Sequence, residues 1–538
     1  MTRQRLLVAA GAVVAVVLVA TGVACVSTQQ VTSGPDPRAS QVSVSASAPS
    51  VRMVQDRSAT DPLVNVRVAF LAGTADDPRG KEGLTALTAR LMAEATAGLD
   101  ASALADALFP LAAELSVQVD KDATVFLGRV HRDHERAFLK LFGDVLTRPR
   151  LANSDFDRLR DAHQAFLTST LRTGNDEALQ REALEVMLYG DARLPGRSLP
   201  STPTHPYAHT PTGTVAGLAA ITLDDVRRHK DAVFTVDRAV VGVGGGASDA
   251  FVAELEALVR SLPPTGVARV AVTSPPAPPS SEMLVIEKPS AGTAISVGFA
   301  LAELSRSHAD YAAMKLAEAY FGEHRNLIGH LFHSMRDVRG LNYGDYAYVE
   351  HFVEEPDGTF ELLNIPRRSQ YFSMWIRPVE HKNRLFALRM TAWELQRFVT
   401  DGIPDDDAFE RVRSFVMGYW ASKEQEPMRR LGYAVDAAIS DEPFDRAGLR
   451  QRVRSLTRAD VNAAIARHLR ADRLSWVVVT QEAAPFVDGI VAHSSAPMAY
   501  DGVMPASVVD EDTAIAAIEL GLDRAAITVV QPASIFER

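Results

Sequence analysis

Two stretches of this chain repeat one pattern at a constant offset. "ITLDDVRRHKDAVFTVDRAVVGVGG" (221–245) and "LTRADVNAAIARHLRADRLSWVVVT" (456–480) align Thr222 with Thr457, Asp225 with Asp460, Val226 with Val461, and Asp237-Arg238 with Asp472-Arg473. In both, Thr-x-x-Asp is suited to open a helix. The Thr oxygen accepts from a free backbone N–H, and the Asp meets the positive end of the helix dipole. An apolar run suited to a strand follows each helix. A second echo pairs "FDRLR" (156–160) with "FERVR" (409–413), each ahead of a long helical stretch. A duplicated chain folds as two related halves, and 538 residues that are 47% hydrophobic supply at least two domain cores.

Both halves open with alternating strands. Val64, Val66, Val68 and Phe70 share one face and Asn65 and Arg67 the other; Ile295, Val297 and Phe299 repeat the period of two. Helical stretches such as "HADYAAMKLAEAYF" (308–321) offer apolar faces to lie on such sheets. The fold class read from this is α+β, duplicated. Clustered prolines in "SLPPTGVARVAVTSPPAPPSSE" (261–282) resist helix and sheet interior and mark a linker, which places a first domain at 52–260 and a second at 283–490. The segment 491–538 begins as loop and carries a short amphipathic helix near Glu511–Leu520, expected across the outside of the second domain or against a partner.

Residues 1–25 differ in kind. Arg3 and Arg5 precede an unbroken apolar run from Leu6 to Ala20, which reads as an export signal. The run ends in small residues at Cys25, the one cysteine of the chain, so no intramolecular disulfide forms. This arrangement resembles the lipobox of bacterial lipoproteins, with Gly22 where that motif usually has Leu, and implies a lipid on Cys25. The alternative is an uncleaved membrane anchor, since about twenty apolar residues span a bilayer. Either tethers the protein in the cell envelope, facing the periplasm or the exterior. Residues 26–51, rich in Ser, Pro and Ala, read as a flexible tether. A net charge of −11 leaves no basic field for nucleic acid.

"FLAGTADDPRGKEGLTALTARLM", "LYGDARLPGRSLPSTPTHPYAHTPTGTVAGLAAITLDDV", "LFHSMRDVRGLNYGDYAYVEHF", and "DDDAFERVRSFVMGYW" followed by "RRLGYAVDAA" carry a family resemblance. From Arg52 to Val487 the chain resembles the insulinase or pitrilysin-like family, which includes the mitochondrial processing peptidases. The resemblance implies two homologous α/β-roll domains arranged as a clamshell, with unfolded peptides held in a chamber between them.

Active members carry H-x-x-E-H on the helix after the first strand: two His one turn apart bind zinc and the Glu activates the bound water. Aligning "KEGLTALTARLM" on that helix puts Ala86 and Arg90 at the His positions and Ala89 at the Glu position. A methyl group does not coordinate zinc, and a permanently charged guanidinium repels it. Active members take a third ligand from a Glu further on, and this chain has no Glu between Glu135 and Glu177. Leu84, Leu87 and Leu91 still fall on one face, so the helix is retained for packing. The chain is therefore expected to bind no metal or other cofactor of its own.

Other clusters give weak alternatives. "HRDHE" (131–135) has the order H-x-x-H-E and reads as a turn with Glu135 near a helix start. His324, His330 and His333 in "GEHRNLIGHLFHSM" lack a companion base other than Glu323. His205 reads as structural, and "GVGGG" (242–246) lacks the G-x-G-x-x-G spacing of a nucleotide loop.

The resemblance also implies that Arg336 and Tyr343 match an Arg and Tyr that active members project from the second domain towards the zinc. Peptide hydrolysis builds negative charge on the carbonyl oxygen, which a preorganised guanidinium and phenol stabilise. A structural alternative is a helix ending at Arg339-Gly340, followed by a Tyr-rich strand. Some bacterial members resemble the mitochondrial enzyme in being heterodimers in which one chain brings the zinc motif and the other the Arg and Tyr. The lead expectation is a non-zinc subunit of such a pair, inert alone, acting on unfolded peptides beside a homologous zinc-bearing partner. The alternative is a catalytically inactive scaffold or peptide-binding protein of the envelope, and a third reading is a peptidase using "HRDHE".

Overall fold

In the first half a six-stranded sheet runs in the order β1-β2-β6-β3-β5-β4. Its strands are β1 (Ser43–Ser45), β2 (Arg52–Arg57), β3 (Leu63–Phe70), β4 (Glu114–Val119), β5 (Thr124–His131) and β6 (Ala239–Gly245). The second half repeats the design with β7 (Glu282–Glu287), β8 (Thr293–Leu301), β9 (Asp345–Tyr348), β10 (Gln370–Val379), β11 (Ser475–Thr480) and β12 (Ile527–Val530), in the order β12-β7-β11-β8-β10-β9. Five strands of each sheet have counterparts at the same places in the other, β2 to β6 matching β7 to β11, while the edge strands differ: β1 runs antiparallel to β2 and β12 parallel to β7. The computed structural model describes residues 43–45, 51–190, 205–302, 304–356, 358–440 and 446–538. The signal-like segment with Cys25 and most of the tether lie outside the described residues. Gln41–Arg538 form one compact unit, and no helix among the described residues is long and apolar enough to cross a membrane.

The helices that matter here are α1 (Leu84–Glu94), α2 (Asn153–Ala165), α3 (Asp176–Tyr189), α4 (Leu223–Val233), α5 (Tyr311–Gly322), α6 (Asp406–Lys423), α7 (Pro427–Ile439), α8 (Arg458–His468) and α9 (Ala506–Ala516). The duplicated Thr-x-x-Asp motifs form capping boxes at the starts of α4 and α8, with Thr222 and Thr457 accepting from Asp225 and Asp460 N–H. β6 and β11 follow, as the repeated apolar runs require. Helix packing obeys the same symmetry: α1 lies against α2 and α4, and α5 against α6 and α8.

One face of each sheet is closed by its own half. Val64, Val66, Val68 and Phe70 pack with Phe126, Phe138, Phe142 and Val241 in the first core, while Ile295, Val297 and Phe299 anchor the second. The opposite faces are closed by exchange. α3, from the first half, lies on β8 and β11 of the second sheet, where Leu179, Ala183 and Leu184 join Ile286, Ala294, Val477 and Val479. α7, from the second half, lies on β2, β6 and β3, where Leu431, Val435 and Ile439 meet Val54, Ala69 and Val240. The polar alternates of β3 are accordingly buried: Arg67 donates to Asn364 Oδ1 at 2.7 Å and to Met428 O at 3.3 Å. The glycines of "GVGGG" make room for this helix. A Cβ on Gly242 would sit 2.5 Å from Val435 Cγ2, and one on Gly432 would sit 2.6 Å from Leu363 Cδ1.

An ion cluster fastens the exchange. Arg367, from the chain ahead of β10, donates to Asp120 at 2.7 and 2.8 Å, to Glu185 on α3 at 2.7 Å, and lies 2.9 Å from His351 Nε2. Burial opposes its charge, but the two carboxylates overcome that cost and hold it well above the ordinary arginine range. Arg368 repeats the grip on Asp122, at 2.6 and 2.8 Å. The exchanged helices and this cluster thus join the two halves to each other.

The linker segment is pinned rather than free: Val236 and Asp237 N–H donate to Pro263 and Pro264 O, and Val267 N–H donates to Ala232 O. The last segment does more than cross the second half. β12 extends its sheet, Phe536 is buried in the core cluster that holds Leu84 and Phe156, and Phe536 and Glu537 carbonyls accept from Val215 and Ala216 N–H in the first half. Its short "ITVV" strand is too brief for periodicity to reveal.

Removing one partner of a buried ion pair leaves the others charged and unpaired, at a cost of about 3–5 kcal/mol. Arg367→Ala is therefore expected to lower stability by about that amount, read as a fall in the urea midpoint with a cooperative transition retained.

Candidate functional site

α1 is fixed at its start by Asp77. Its carboxylate accepts from Gly83 N–H at 2.6 Å, Thr85 N–H at 2.7 Å and Thr85 Oγ at 2.6 Å. Burial pushes the Asp77 carboxyl up to about 7 despite these donors. Position 83 requires glycine on two counts: its φ is +106°, and a Cβ there would meet Thr212 O at 2.6 Å. Thr85 Oγ also lies 2.7 Å from His229 Nε2 on α4.

So held, α1 turns Leu84, Leu87 and Leu91 into the shared core with α2 and α3. Ala86 and Ala89 are buried, Ala89 completely, while Arg90 points to solvent. The three positions of the zinc motif therefore present two methyl groups and an outward cation, and no lone pair. The nearby ligand-type side chain is His163 on α2, which sequence reading overlooked. It is buried, and neither ring nitrogen has a hydrogen-bond partner. Burial, then the charge of Arg90, holds its pKa down to about 4. A single imidazole does not make a zinc site. Its only sequence signal is a His seven residues after Phe156 on the helix's apolar face.

The other candidates disperse. In "HRDHE", Glu135 accepts from Ser248 N–H at 3.1 Å and from Ser248 Oγ, and His131 Nδ1 accepts from Asp133 N–H at 3.3 Å, the geometry of a turn. His324 Nδ1 pairs with Tyr348 Oη at 2.7 Å, His330 with Glu394 at 2.8 Å and His333 with Asp337 at 3.6 Å, so the three do not converge. His205 Nε2 is 2.7 Å from Thr273 O, a structural tie. Among the described residues, three ligand-type groups gather only at His308, Asp310 and His468. There Asp310 already bridges Arg467 and His468, and His308 Nδ1 accepts from Asp310 N–H.

Arg336 and Tyr343 do come together. A π-helical turn, Phe332–Asp337, is followed at Gly340 by φ +64°, and the chain folds back so that Arg336 Cζ lies 4.6 Å from the Tyr343 ring centroid and 4.5 Å from that of Phe332. Arg377 on β10 covers Tyr343 at 5.3 Å and is held by Glu177 on α3 at 3.0 and 3.1 Å. Tyr343 is 69% exposed, and among the described residues Arg336 has no carboxylate partner. Arg339 anchors the turn: buried, it donates to Asp512 at 2.7 Å and Glu511 at 2.6 Å on α9 and to Ser334 O at 2.9 Å. A phenol flanked by two guanidinium groups at the surface can meet an oxyanion brought to it from outside. Sequence reading named Arg336 and Tyr343 but not Arg377, which lies in another strand.

Comparison with known proteins bears on the same region. The family profile described as "Insulinase (Peptidase family M16)" matches residues 52–188, and "Peptidase M16 inactive domain" matches residues 220–413. No curated protein matches the sequence. Among solved structures, a peptidase M16 inactive domain from Pseudomonas fluorescens superposes with TM-score 0.68 at 22% identity, covering 82% of this chain and 98% of that one. A protease from Helicobacter pylori gives 0.63 at 14% identity, covering 82% and 99%. An M16-like peptidase from Alicyclobacillus acidocaldarius gives 0.63 at 16%, covering 82% and 98%. At these identities the likeness is one of fold.

His163 and His229 are both held at about 4, from an ordinary 6.5. Between those values the unfolded chain binds protons that the folded one refuses, so stability falls as pH drops from 6.5 towards 4. His163→Leu, which removes two unpartnered buried nitrogens, is expected to raise stability by about 1 kcal/mol and to flatten that acid limb in urea titrations at several pH values.

Proposed function

This chain belongs to the insulinase-like peptidase family as a member without zinc ligands, and we propose that it serves as the non-zinc subunit of a heterodimeric peptidase. In this reading a homologous partner supplies the zinc, the peptide chamber forms between the two chains, and Arg336 and Tyr343 reach the scissile carbonyl of an unfolded peptide held there. One observation carries it: the metal positions are methyl groups and an outward arginine, while a half-buried Arg336 lies over an exposed Tyr343 and neither is committed to a carboxylate among the described residues. The developing oxyanion would be met by the guanidinium and the phenol, and Arg377, fixed by Glu177, would keep the Tyr343 ring in place. The chain would work in the cell envelope, held by a lipid on Cys25 or by its uncleaved apolar segment.

The second reading, an inactive envelope scaffold or peptide-binding protein, draws on the same site. A Tyr343 ring with a guanidinium on each side also suits a surface that merely packs against a neighbour.

Alone, with zinc supplied, the protein is expected to leave unfolded peptides intact; together with a zinc-motif homologue it is expected to cleave them in a chelator-sensitive way. Removing a transition-state donor costs about 10²–10³ in rate, so Arg336→Ala should lower kcat/KM of the pair by about that factor, and Tyr343→Phe by about tenfold. Unchanged kinetics in both variants, or no zinc-motif homologue co-purifying, would favour the scaffold. Chelator-sensitive cleavage by the isolated chain would defeat both readings.

A further inference from the structure

A cavity of about 90 Å³ lies in the second half, walled by α5, the C-terminal end of α6 and the chain between β9 and β10. That is the room of about three water molecules. By the symmetry of the fold, α5 and α6 correspond to α1 and α2. In the first half the equivalent helices close on each other through Leu84, Leu87, Leu91, Phe156 and Leu159. The second half keeps a polar space instead.

The charges around it are paired with one exception. Lys315 donates to Glu318 at 2.7 Å and Glu350 at 3.3 Å, and Arg306 lies 3.3 Å from Glu350 and 3.7 Å from Asp436. Lys423 donates to Glu361 at 2.7 Å, and Arg446 to Glu424 at 2.7 Å. Glu323, at the end of α5, has neither a hydrogen-bond donor nor a cation within salt-bridge reach among the described residues. Burial pushes its carboxyl up to about 7, against the pull of Lys423 and Lys315. Glu323 is half-buried and lines the cavity, so its carboxylate is open to a cation or an N–H donor that enters there.

We propose that this cavity binds a small solute bearing an ammonium group, with Glu323 as its counter-ion. An ammonium brings one positive charge and N–H donors, which matches one uncompensated carboxylate. The Tyr348 ring on the wall adds an aromatic surface of the kind that favours organic cations. A divalent metal needs several free oxygen ligands, and Glu318 is already held by Lys315 and by Val349 N–H at 3.0 Å. An anionic ligand would add to the uncompensated charge. The paired lysines and arginines also leave no free cation for the carboxylate of an amino acid, so the cavity selects a simple amine over a zwitterion. This site stands apart from Arg336 and Tyr343 and does not depend on how they act.

The test is isothermal titration of the full chain at pH 8 with ethylammonium, glycine and acetate, repeated on Glu323→Gln. The wild-type chain is expected to take up one ethylammonium with millimolar affinity, as suits so few heavy atoms, to bind glycine at least tenfold more weakly and to ignore acetate. Glu323→Gln, shown folded by circular dichroism, is expected to lose ethylammonium affinity by at least tenfold. No saturable ethylammonium heat from the wild-type chain overturns the proposal, as does glycine binding as tightly as the amine, or a folded Glu323→Gln that binds unchanged. The comparison of ligands on the wild-type chain decides the matter even if the variant does not fold.

Discussion

The whole arrangement rests on an exchange of two helices clamped by one arginine. α3 leaves the first half to cover the second sheet, α7 returns the favour, and Arg367 ties the β4–β5 turn, through Asp120, to α3, through Glu185. A sheet needs both faces covered when both are apolar or carry groups such as Arg67 that cannot be left dry and unpaired. Here each half covers one face itself and relies on the other half for the second. Neither half is complete alone, which explains why Gln41–Arg538 form one unit despite an obvious duplication.

This exchange also explains what became of the metal helix. α1 is a structural wall: its leucines join a core that includes residues of the second sheet, and Asp77 and Thr85 pin its start to α4. Such a helix is retained whether or not it binds zinc. The ligand positions lie on it as separable side chains, and Ala86 and Ala89 fill their places without disturbing the packing. Arg90 avoids burial by pointing outward, and its charge bears on His163, a buried imidazole with nothing to bind. The same logic places Arg336 and Tyr343 on a turn that Arg339 and α9 hold from behind, so that their chemistry depends on residues remote in sequence.

Much of this was legible in the residues. The period-two apolar pattern of β3 and β8, the capping boxes at Thr222 and Thr457, the leucine face of α1 and the loss of zinc ligands are local properties, set by residues within a turn or two of one another. Arg336 and Tyr343 were named through the family resemblance; that the guanidinium of one lies over the ring of the other came from the structure. The burial of Asn65 and Arg67 was not legible, because the helix that covers them arrives from beyond residue 426. Nor were the docking of the last residues onto the first half, the role of Arg377, or the isolation of Glu323, since each depends on partners from other elements.

By itself, then, the sequence determined the duplication, the α+β class, the strands and helices of each copy, and the replacement of the zinc-motif positions of the first copy by Ala86, Ala89 and Arg90: all follow from periodicity, capping and the identity of single side chains. Only the tertiary structure decided which helix covers which sheet, which charges meet, where a cavity is left, and which side chains of the turn face outward. Those outcomes are set by contacts across hundreds of residues, where packing and charge compensation, not local pattern, choose the partner.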